Sequence, residues 1–127
     1  MMSVLLVAIG GATGSVARFA LGGWLGTTAA GWRFPISTFL VNVVGCLIIG
    51  GLAGIGERPG LLSYEARLFL FTGMLGGFTT FSAFGLETLT LVRRGDMIVA
   101  GTYVGLSVLV GLLAVAGGFA LAANATR

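Results

Sequence analysis

Gly73-Met74-Leu75-Gly76-Gly77-Phe78-Thr79-Thr80-Phe81-Ser82-Ala83-Phe84 runs on to Glu87 inside the third of four apolar stretches of the chain. A Gly-Gly pair followed by two β-branched hydroxyl residues is a weak helix former, and near a bilayer centre a break there frees carbonyl and amide groups to meet an ion. The stretch therefore predicts a helix broken near its middle. Phe81 and Phe84, three residues apart, neighbour each other on one side of a helix, with Thr80 and Glu87 flanking that side. Aromatic ring edges carry partial positive charge and meet a small hard anion edge-on without a formal cation. Rings in these positions also serve as lipid-facing or core packing, and Glu87 alone also fits a side chain snorkelling to the surface.

The surroundings of this stretch are those of a membrane protein. Of the residues, 57% are hydrophobic and only 9% charged, against averages near 50% and 25% for soluble domains, and the mean hydropathy is +1.07. Four stretches, near Met2–Gly26, Phe34–Ile55, Leu68–Val92 and Met97–Ala123, have the roughly 20-residue length a helix needs to cross the hydrocarbon. The first is expected to stay in the mature protein, because no basic residue precedes it and no small-residue cleavage site follows it. Short connections leave room for one domain over residues 1–127. No internal repeat is visible.

Several chemistries are excluded. The chain has no His, so zinc sites and His-based acid/base catalysis fall away. Its single cysteine, Cys46, lies inside the second span and has no intramolecular disulfide partner. Ser82 lacks a His or Lys to activate it, so an enzyme is not expected. The net charge of +3 comes from seven arginines without lysine, most of them near span ends. That balance fits anchoring to lipid head groups and not nucleic-acid binding.

The arginines leave orientation unresolved. Arg58, Arg67 and Arg127 belong to one side, and Arg33, Arg93 and Arg94 to the other. Such a tie fits a chain that inserts both ways and forms an antiparallel homodimer, supplying the inverted repeat many transporters carry within one chain. It equally fits a chain in which Arg18, low in the first span, breaks the tie. Gly10 with Gly14, Gly22 with Gly26, Gly50 with Gly54, and Gly73 with Gly77 have the small-xxx-small spacing that lets membrane helices approach closely.

Polar residues inside the spans are few. Thr38 and Asn42 stand one turn apart on one face of the second span, and together they offer donors suited to an anion that must exchange water for protein hydrogen bonds. A bond from Asn42 to a neighbouring helix is the other reading. Tyr103 and Ser107, one turn apart in the fourth span, extend a polar track, whereas Thr102 reads as ordinary interhelical bonding. Arg18, a turn below Gly14, is expected to pair with a carboxylate or with backbone carbonyls, or to lend positive potential to an anion vestibule. No fixed cation lies between Asn42 and Phe84 within the spans, and no proton-coupling carboxylate sits mid-membrane, which favours passive conduction over exchange.

Gly10-Gly11-Ala12-Thr13-Gly14 through Arg18, the Pro35–Asn42 stretch closing on Gly45, and Gly76-Gly77-Phe78-Thr79-Thr80-Phe81-Ser82 through Glu87 together resemble the Fluc (CrcB) fluoride channels over all four spans. The resemblance implies an all-α, dual-topology antiparallel homodimer in a bacterial-type plasma (inner) membrane, exporting fluoride through two pathways along its interface. By matching positions it implies that Phe81 and Phe84 face fluoride with their ring edges and that Asn42 is the amide donor. Thr38, Ser82, Tyr103 and Ser107 would continue the polar track, with Arg18 at the vestibule and Glu87 at the pathway's end. It also implies a structural sodium ion held by the backbone carbonyls of Gly76 and Thr79 from both subunits. Ala83 departs from the pattern, since many relatives have a second hydroxyl there, and the track is thinner for it.

Two rivals belong to other classes. A small multidrug transporter shares the length and the four spans but needs a carboxylate in the first, and Met2–Gly26 has none. A non-conducting assembly subunit would use its glycines for packing alone.

Overall fold

The computed structural model describes residues 1–125, so Arg127, one of the arginines in the charge tie, lies outside the described residues. The described residues are helical without a strand. Helix α1 spans Met2–Thr28, α2 Ile36–Ile55 and α6 Met97–Ala125. The third span is composite: α3 (Tyr64–Arg67), a π-helix (Leu68–Leu75), α4 (Gly76–Phe78) and α5 (Phe81–Arg93), with Thr79 and Thr80 extended between the last two. Four helical runs among the described residues, Met2–Thr28, Ile36–Gly56, Tyr64–Arg93 and Met97–Ala125, are long and apolar enough to cross a membrane.

The bounds shift from the sequence expectation for local reasons. The third span starts at Tyr64 and not Leu68, because the Ser63 hydroxyl accepts from Ala66 N at 3.1 Å and caps an additional polar turn. The second starts at Ile36 with Pro35 as its N-cap, since the proline ring disfavours helical backbone at Phe34. Each linker turns on a glycine with positive φ: Gly31 at 95°, Gly60 at 87° and Gly95 at 82°. At Gly95 the α5 terminus closes as a Schellman motif, with Asp96 N donating to Leu91 O and Gly95 N to Val92 O, both at 3.0 Å.

Packing is organised as two tight pairs. Helix α2 lies along α6, and α1 lies along the π-helix and α4. Backbones touch because glycines leave no side chain between them. A Cβ added at Gly10 would lie 2.5 Å from Phe69 O, and one at Gly54 2.5 Å from Phe119 O. Gly14, Gly50, Gly73 and Gly77 make comparable approaches, as does Gly118. The Gly22 and Gly26 pair does not: a Cβ at Gly22 would lie 3.4 Å from Ser37 Oγ, and one at Gly26 meets nothing within 4 Å.

Between 11% and 22% of each apolar window is buried within the subunit, so most of the apolar surface faces outward. A compact buried cluster gathers Leu91, Ala100 and Tyr103, packed by Phe34, Phe39 and Phe84.

Candidate functional site

Two extended residues inside a membrane span leave backbone groups that no water can satisfy, and the chain provides partners for most of them. Thr80 N, which an unbroken α-helix would send to Gly76 O, donates instead to Asn42 Oδ1 at 2.9 Å, and Asn42 Nδ2 donates to Thr80 O at 3.1 Å. Arg18 Nε donates to Gly77 O at 3.0 Å, so of the two pairings open to it in the sequence it takes the carbonyl. The Thr80 hydroxyl accepts from Ala83 N at 3.3 Å and caps α5, and Thr79 Oγ1 donates to Leu75 O at 2.9 Å. Among the described residues no donor is bonded to the carbonyl oxygens of Gly76 or Thr79.

An open groove of about 400 Å³ runs beside this segment. It brings together Asn42, Gly76, Thr79, Thr80, Phe81, Phe84 and Ser107, with Cys46 in its wall and, among the described residues, no charged side chain in its lining. The Phe81 and Phe84 rings lie 5.5 Å apart, tilted by 41°, and Phe81 is 84% exposed on the subunit. Ser107 Oγ is buried and has no hydrogen-bond partner among the described residues. Asn42 keeps one amide hydrogen beyond its two bonds to Thr80.

A second cavity of about 360 Å³ lies on the other side of Thr80 and holds Arg18, Ser37 and Thr38. Thr80 lines both, which places it at the junction. Ser82 is exposed beside it, its hydroxyl 3.4 Å from that of Thr80.

Glu87 and Tyr103 line neither cavity. Thr38 Oγ1 donates to Glu87 Oε1 and Tyr103 OH to Glu87 Oε2, both at 2.7 Å, which ties α2, α5 and α6 together. Tyr103 is fully buried, ringed by Phe34 and Phe84 at centroid distances of 5.3 and 5.1 Å. Thr102 does not make the interhelical bond expected of it: it points outward from α6, and its hydroxyl has no partner among the described residues. The residue sequence reasoning underrated is Thr80. Its signal was present, since a threonine three positions before Ala83 at the start of an apolar run is an N-cap pattern.

Four apolar spans around a groove of neutral donors and aromatic rings define a multi-pass membrane protein. The chain belongs to the CrcB family: residues 5–119 match the family described as CrcB-like protein, Camphor Resistance (CrcB). It is 53% identical over 95% of its length to a Methylobacillus flagellatus protein named fluoride-specific ion channel FluC, of which 94% is covered. Proteins of the same name are 47% identical in Rhizobium etli, covering 95% of this chain and 96% of the relative, and 42% identical in Oceanobacillus iheyensis, covering 88% and 84%. The resemblance read from the three motifs is thus a family membership.

Proposed function

We propose that this chain is the subunit of a fluoride-selective passive ion channel. The name its relatives carry supports the substrate. The observation that carries the reading is the groove, uncharged among the described residues, in which the Ser107 hydroxyl, the Asn42 amide and the rings of Phe81 and Phe84 come together.

Fluoride is small and strongly hydrated, so a path must replace its water with closely spaced donors. Asn42 contributes its remaining N–H and Ser107 its O–H, while the phenylalanines contribute electropositive ring edges. With no formal cation in the lining, binding stays weak enough for release. Arg18, in the adjoining cavity, raises the anion concentration at the mouth while its Nε stays anchored on Gly77 O. Thr38 and Ser82 continue the polar track, with Glu87 and Tyr103, which line neither cavity, bonded in a chain behind Thr38. Asn42 and Arg18 then serve a second purpose, because they satisfy the backbone of a third helix that acts as a helix broken near its middle.

A single subunit leaves Phe81 and the groove open, and a second copy closes them. The functional unit is an antiparallel, dual-topology homodimer with two pathways along its interface, in a bacterial-type inner membrane, and each chain forms one domain. The carbonyl oxygens of Gly76 and Thr79 fit a hard cation, being neutral oxygens to which no donor among the described residues is bonded. Contributed by both copies, they would hold a sodium ion that pins the two third helices where they cross.

Fluoride efflux from liposomes holding the purified protein, read by electrode with a potassium ionophore present and chloride efflux as control, tests the reading. Fast fluoride loss without chloride loss is expected, with a decline after dialysis into sodium-free medium. No fluoride loss from a folded dimer would refute it.

A further inference from the structure

The linker between α1 and α2 packs over the first turns of α6 and leaves a groove of about 300 Å³ on the outer surface, which shares no lining residue with the two cavities above. Its walls are Trp32, Phe34, Ile98 and Val99, with Arg33 and Thr102 as its polar members. It lies where the spans end, at the depth where tryptophan and arginine meet lipid head groups.

Arg33 is 77% exposed, yet it is not loose. Its Nη1 is bonded to Asp96 Oδ1 at 2.9 Å, and Asp96 is itself only 20% exposed, so the carboxylate holds the guanidinium beside the groove with its remaining N–H groups free. The Thr102 hydroxyl, unpaired among the described residues, lies in the same wall. Arg93, which ends α5, and Arg94, which follows it, are exposed, so this end of the bundle carries three arginines against one aspartate.

We propose that this groove is a binding site for one phospholipid with an anionic head group. The phosphate is met by the free N–H groups of Arg33, and an acyl chain lies along Phe34, Ile98 and Val99. The Thr102 hydroxyl donates to an ester oxygen. Asp96 is a positioning residue, and the excess of arginine selects an anionic over a zwitterionic lipid, each basic residue near such a surface favouring it several-fold.

The intact protein, released from mixed micelles of phosphatidylglycerol and phosphatidylcholine with matched acyl chains, is measured by native mass spectrometry. Retention of one phosphatidylglycerol per chain in preference to phosphatidylcholine is expected. Arg33→Gln should weaken retention roughly fivefold, the worth of one basic residue at a charged surface. Val99→Trp, which fills the groove and leaves Arg33 in place, should also reduce it. Equal retention of the two lipids by the unaltered protein overturns the proposal whatever the variants do. Undiminished phosphatidylglycerol on a folded Arg33→Gln protein overturns it as well.

Discussion

The side chain of Asn42 is bonded twice to the backbone of Thr80, Nδ2 to the carbonyl at 3.1 Å and Oδ1 from the amide at 2.9 Å, so one amide takes the N–H that the break leaves without a helical partner and adds a donor to the carbonyl of the α5 N-cap. Asn42→Asp keeps the acceptor for Thr80 N but sets a second carboxylate oxygen against Thr80 O. Destabilisation of about 2 kcal/mol and loss of nearly all fluoride flux are expected, checked by thermal unfolding in detergent and by liposome efflux. Full flux would remove Asn42 from the pathway.

Phe81 contributes little to its own subunit, being 84% exposed, with Phe84 as its ring neighbour. Phe81→Ile should therefore leave the chain folded and dimeric while cutting fluoride flux more than tenfold. Size-exclusion chromatography beside the efflux assay separates the outcomes, and a dissociated dimer would assign Phe81 to packing.

The glycines divide into those that hold backbones together and those that do not. A Cβ at Gly50 would lie 2.8 Å from Val115 C, and one at Gly26 meets nothing within 4 Å. Gly50→Ala is expected to cost about 1–3 kcal/mol through displacement of α6. Gly26→Ala should be neutral or gain up to about 1 kcal/mol of helix propensity. Unfolding temperatures of the two variants, measured side by side, check the contrast.

Glu87 accepts from Thr38 and Tyr103 with one carboxylate oxygen each. Glu87→Gln preserves a bond on both sides, since a hydroxyl can turn to accept from the new amide, and should lower the unfolding temperature only slightly. Glu87→Ala strands the fully buried Tyr103 hydroxyl and should cost about 2 kcal/mol. Equal effects of the two would show that the bridge does not hold α2, α5 and α6 together.

Some of the site is legible in the residues themselves. The spacing of Phe81 and Phe84 makes them neighbours, and that of Thr38 and Asn42 does the same, because separations of three and four are local properties of a helix. The π-helix over Leu68–Leu75 has no signal in the residues, since Leu, Phe, Thr, Gly and Met serve an α-helix equally well. Thr102 and Ser107 look alike as span hydroxyls. Packing sets them apart, one exposed on the subunit and one buried beside the groove.

From its residues alone this protein was bound to cross a membrane four times, because apolar length and self-satisfied backbone hydrogen bonds are set span by span. Which polar groups meet was decided by tertiary structure: Arg18 with Gly77, 59 positions away, Asn42 with Thr80, 38 away, and Thr38 with Glu87, 49 away. Each pairing depends on how glycine-lined helices slide and rotate against one another. That register comes from many small backbone contacts summed across the bundle, and no single stretch of the chain contains it.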